Sequence, residues 1–165
     1  MRSYDPTLWA PFFTALIAAA AALTGLLFVA VSINLDRILQ GGRFLPLRAA
    51  ESLAILLLVV IGSAIVLIPQ NTRLMGAELL ILAVPMLVFM VWSQLQQRRA
   101  RPDDPALWTV SWMTSTAIAT VPATIAGISL AAHWGGGFYW LAATALLGLI
   151  GAVYGAWVLL VEIVR

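Results

Sequence analysis

The chain has 165 residues, 62% of them hydrophobic and 10% charged, with a net charge of +2 and no cysteine. A water-soluble domain averages about 25% charged residues, so charge is too sparse here to coat a water-facing surface. The missing thiols exclude disulfides, thiolate catalysis and thiolate metal sites together.

The apolar residues come in long runs rather than amphipathic stripes. A helix needs roughly 20 of them to fill a hydrocarbon core of about 30 Å. Five runs are long enough, at residues 9–35, 47–69, 75–95, 106–132 and 138–164. The first is no cleavable leader: its only basic residue upstream is Arg2, offset by Asp5, and it is longer than a signal-peptide apolar region of about 7–15 residues. The third contains Pro85 and the fourth Pro122, where kinks are expected and neighbouring helices or hydroxyls must satisfy the freed carbonyls. Between the fourth and fifth, His133, Trp134, Gly135, Gly136 and Gly137 form a tight turn, which predicts an antiparallel helical hairpin. The expected fold is an all-α polytopic membrane helix bundle, with residues 1–165 as a single transmembrane domain.

All nine basic residues are arginines. Arg37, Arg43, Arg48, Arg98, Arg99, Arg101 and Arg165 fall on one side of the membrane, against Arg2 and Arg73 on the other. By the positive-inside bias, the N-terminus is outside, the C-terminus inside, and loops 36–46 and 96–105 are cytoplasmic. The aromatics agree, with Trp9, Phe12, Phe13, Trp134, Phe138, Tyr139 and Trp140 at the outer face and Trp92, Trp108 and Trp112 near the inner one. Amphipathic rings favour such interfaces.

Polar side chains are costly in lipid, so their positions carry information. Ser32, Asn34, Asp36 and Arg37 end the first span, and Arg48 and Glu51 open the second, three apart on one helix face. They can form a charged mouth or gate, or salt bridges that pin two helix ends. Glu78 lies one turn into the third span after Arg73. It can bind a cation or proton, or favour the positive helix N-terminus. Thr116, Thr120 and Thr124 recur at i, i+4 and i+8, with Ser111 and Ser115 beside them. Such a row can line a watery path, bond its own carbonyls or glue helices together. Small residues, namely Ala18 to Ala22 with Gly25, and Gly148, Gly151 and Gly155, suit close helix packing.

No ionisable residue falls near the middle of any span, whereas ion-coupled transporters usually bury one there. No nucleophile–base pair accompanies the lone His133, so no enzymatic activity and no metal or cofactor is expected.

The run AAALTGLLFVAVSINLDR at 20–37, with RAAESL at 48–53 and GAEL at 76–79, resembles an uncharacterised family of small multi-spanning bacterial membrane proteins of the actinobacterial type. The likeness covers about the first half of the chain. It implies a multi-pass protein of the bacterial plasma membrane and brings no activity or site residue.

Function is therefore expected from one of three classes, the first favoured and the other two its alternatives. The first is a homo-oligomeric channel or pore for cations or small solutes, with Ser32, Asn34, Asp36, Glu51, Glu78, Thr116, Thr120 and Thr124 as pore or gate residues. The second is a non-transporting accessory subunit that binds another membrane protein. The third is a small-molecule or lipid transporter with a cavity at the proline kinks. The lipid bilayer is a partner in each case, and nucleic acid in none.

Overall fold

A computed structural model describes residues 2–40, 44–100 and 106–164. After a short 3-10 turn at Arg2–Tyr4 come α1 (Pro6–Ile33), α2 (Leu35–Gln40), α3 (Phe44–Leu67), α4 (Thr72–Ala100), α5 (Ala106–Ala132) and α6 (Phe138–Val164). No strand occurs among the described residues. The fold is the expected all-α membrane helix bundle. Four helices are long and apolar enough to cross a membrane: α1, α3, α4 and α6. The fifth long helix, α5, has 27 residues, and its described apolar run covers Ala119–Ala132.

The helix ends follow from local chemistry. Asp5 caps α1: its Oδ1 accepts from the Thr7 amide at 3.0 Å and the Thr7 hydroxyl at 2.6 Å, with Pro6 at the first helical position. Those two bonds favour the ionised carboxylate and hold the Asp5 carboxyl below its ordinary range. Asn34 ends α1, and its Nδ2 donates back to the Ala30 carbonyl at 2.9 Å. The chain then re-enters helix, with the Ile38 amide donating to the Asn34 carbonyl at 3.0 Å. The stretch read as loop from residue 36 thus begins as the one-and-a-half-turn α2, anchored by buried Ile38. Asn71 caps α4 through its Oδ1 and the Leu74 amide at 2.8 Å.

Two spans are longer than their apolar runs. Helix α3 starts at Phe44, because Pro46 in a first turn needs no hydrogen bond from its own nitrogen. Helix α4 runs on past Leu95 to Ala100, since Gln94, Gln96, Gln97 and Arg98 are good helix formers.

Helices α3, α4, α5 and α6 pack in a closed square, each against its two neighbours, with α4–α5 the most extensive contact. Helix α1 stands outside that square and docks on α3, touching only the edge of α6. Its buried stripe is Phe13, Leu16, Ala20 and Leu27, one helical face. The N-terminus and the α5–α6 turn share one end of the bundle, the upper end; α2 lies at the lower end.

Glycines set two of the crossings. A Cβ on Gly76 of α4 would strike the Ala131 amide and come within 2.7 Å of the Gly127 carbonyl, so α4 and α5 touch backbone to backbone there. On α6, Gly148 lies against Val59 and Ile55, and a Cβ on Gly155 would meet the Ser52 hydroxyl at 2.5 Å. These α6 glycines therefore pack on α3 of the same chain. Nothing lies within 4 Å of the Cβ position of Gly25, and Ala18, Ala19, Ala21 and Ala22 are exposed. Of the small-residue run in α1, the chain itself uses only Ala20.

The upper turn forms the predicted hairpin. His133 adopts φ 53° and the Trp134 amide donates to the Ser129 carbonyl at 3.1 Å, a Schellman closure of α5. The Ser129 hydroxyl donates to the Trp134 carbonyl at 2.5 Å and accepts from the Gly137 amide at 2.8 Å.

Candidate functional site

The lower end of the bundle buries an ion pair. Arg48 and Glu51 are separated by 3.7 Å and are only 6% and 4% exposed. Both stand on α3 with the spacing that places them on one face. Facing them, α4 supplies Ser93, Gln94 and Gln97. Glu51 Oε1 accepts from Gln97 Nε2 at 2.7 Å and from Gln94 Nε2 at 3.2 Å. Gln97 Nε2 also donates to Ser93 Oγ at 3.1 Å. Buried Ser52, beside Glu51, touches α6 at Gly155. Two helices thus meet on the Glu51 carboxylate, and α6 packs on the neighbouring Ser52.

A buried charge is tolerated only when it is paired and hydrogen-bonded, and here both conditions hold. Among the described residues, no buried side-chain nitrogen or oxygen lacks a hydrogen-bond partner. Chemically the cluster is a carboxylate surrounded by donors. It holds α3 to α4.

The structure separates the sequence-derived candidates. Glu51 belongs to this cluster. Asp36 and Ser32 are exposed at the lower ends of α1 and α2, and Asn34 is half-buried between them. Ser32 donates to its own helix, at the Phe28 carbonyl. Glu78 lies at the opposite, upper end, where its Oε2 accepts from Gln70 Nε2 at 2.7 Å and ties the α3–α4 connection to α4. Thr120 is fully buried in the middle of the bundle, and Thr124 donates to the Thr120 carbonyl at 3.1 Å. Bonding to the preceding turn is the structural alternative for such a threonine. The Thr116, Ser111 and Ser115 side chains lie outside the described residues. The seven described candidates therefore occupy three levels of the bundle and do not converge on one site.

Sequence reasoning missed Ser93, Gln94 and Gln97. Ser93 and Gln94 fell inside the apolar span 75–95, and Gln97 fell in the stretch read as loop 96–105. The usable signal was that Ser93 and Gln97 are four apart, on one face, in a helix that continues past them.

A second polar junction closes the upper end. The Tyr4 ring stacks on His133 with centroids 5.3 Å apart, and Thr72 Oγ1 and His133 Nε2 share a hydrogen bond of 2.7 Å. The Gly136 amide donates to the Tyr4 hydroxyl at 3.2 Å. Trp9, Phe12, Phe13, Phe138 and Tyr139 pack edge to face beside it.

Between the two ends the interior is mainly aliphatic, with the hydroxyls of Ser63, Thr120 and Thr144 buried in it. Leu56, Leu58, Val59, Leu79, Ala83 and Ala123 fill its middle and are at most 2% exposed. Fold and site together define a class: a multi-pass helical membrane protein with polar locks at both ends and a mainly aliphatic centre. No protein-family model matches the chain, no curated protein is similar to it, and no solved structure matches it.

Proposed function

We propose that the chain is a non-conducting subunit of the bacterial plasma membrane that acts by binding another integral membrane protein. The observation that carries this reading is the position of α1. A closed four-helix square already buries the polar groups, yet a fifth apolar helix of 28 residues docks outside it. The outward face of that helix, with Ala18, Ala22 and Gly25, allows the close backbone approach by which membrane helices associate. Two features argue against conduction. Glu51, Glu78, Thr120 and Thr124 are engaged within the chain, and the centre of the square is filled with aliphatic side chains. The excess of arginine at the lower end puts that end in the cytoplasm.

The test combines flux with proximity. In liposomes the purified protein should leave potassium flux at the protein-free background. A photocrosslinker replacing Ala22 should yield one discrete heavier adduct in native membranes, and one replacing Ala145, buried in the square, should yield none. Flux that falls on Asp36→Ala would replace this reading with an oligomeric pore, for which exposed Ser32 and Asp36 are the side chains open to a shared axis.

A further inference from the structure

The outward face of α4 has a regular composition. Ile81, Val84, Val88, Val91 and Leu95 are all exposed and follow each other at intervals of three and four residues, and the next position in the series is Arg98. Spacings of three and four make one continuous helical stripe. Arg99 is exposed beside Arg98, and Trp92, half-exposed, flanks the stripe two turns above them. A straight aliphatic track therefore runs along the helix and ends, at the lower boundary, in two guanidinium groups with an indole nearby.

We propose that this stripe is a binding site for a single anionic phospholipid, with acyl chain along Val84, Val88, Val91 and Leu95 and phosphate on Arg98 and Arg99. Guanidinium matches phosphate in charge and in bidentate geometry. The Trp92 indole sits at the level where a lipid presents its glycerol and ester oxygens.

Charge selects the lipid over a second copy of the chain. Two copies in one membrane share orientation, so a symmetric pair packed through this stripe would run parallel. Each Arg98 would then face the other Arg98, and like charges at a helix interface repel. An anionic headgroup removes that conflict.

The test is lipid retention by native mass spectrometry of the full chain. Protein is released from detergent supplemented with equal phosphatidylglycerol and phosphatidylcholine. Each arginine near an anionic lipid adds about fivefold, so a preference for phosphatidylglycerol of roughly twenty-five-fold is expected. It should fall to near parity in R98Q/R99Q and remain in R37Q, which removes another exposed arginine at the same end. Millimolar inorganic phosphate should not displace the lipid, because the acyl contacts are absent from it. Equal retention of the two lipids, a preference that survives R98Q/R99Q, an equal loss in R37Q, or displacement by phosphate would each overturn the proposal.

Discussion

Glu51 is the residue on which the lower end depends. Its carboxylate meets Arg48 from its own helix and the amides of Gln94 and Gln97 from α4. Truncation to alanine removes the carboxylate that Arg48, Gln94 and Gln97 share and leaves a void between α3 and α4. Breaking a buried pair by removing one partner costs about 3–5 kcal/mol. Glu51→Ala should therefore lower the detergent melting temperature markedly, whereas Glu51→Gln keeps an acceptor oxygen for the α4 amides and should cost less. A melting temperature for Glu51→Ala within the error of wild type would show that the cluster does not hold α3 to α4. The Arg48–Glu51 pairing was legible in the sequence because helical geometry fixes residues three apart. Its α4 half was not, because no local rule says which residue of another helix will face a given carboxylate.

At the scale of elements, glycine positions decide how closely helices approach. The Gly76–Gly127 crossing leaves no room for a methyl group on Gly76, since the atoms it would meet are backbone and cannot rotate away. Gly76→Ala should push α4 from α5 and destabilise the fold by about 1–3 kcal/mol, as overpacking does. Gly25→Ala, which adds a methyl group into open space, should leave the melting temperature unchanged. Thermal unfolding of the two variants side by side checks the contrast, and equal shifts would contradict this packing. Spans 106–132 and 138–164 coincide with α5 and α6, because a glycine-rich turn and strong apolar runs delimit them. Span 75–95 is shorter than α4, because hydropathy stops at Leu95 while helix formation does not.

For the whole molecule, the odd number of long helices sends the two termini to opposite ends. Orientation can be read directly, because the chain has no native cysteine. Ser3→Cys should react with a membrane-impermeant maleimide on intact spheroplasts. Gln40→Cys should react only after permeabilisation. The reverse pattern would invert the topology. Nearly the whole architecture, meaning all-α, membrane-spanning and hairpin-connected, was present in the sequence. Hydrocarbon cannot satisfy backbone amides, so a long apolar run is forced into helix whatever its neighbours are. The tertiary structure alone decided which faces turn inward: Thr120 is hidden, Ala22 and Val88 are presented, and α1 stands outside a square of four. Lipid tails are as apolar as a protein core, so a membrane helix carries no hydrophobic stripe to mark its buried side. The inward face is chosen by which glycines and polar groups find matching partners on other helices.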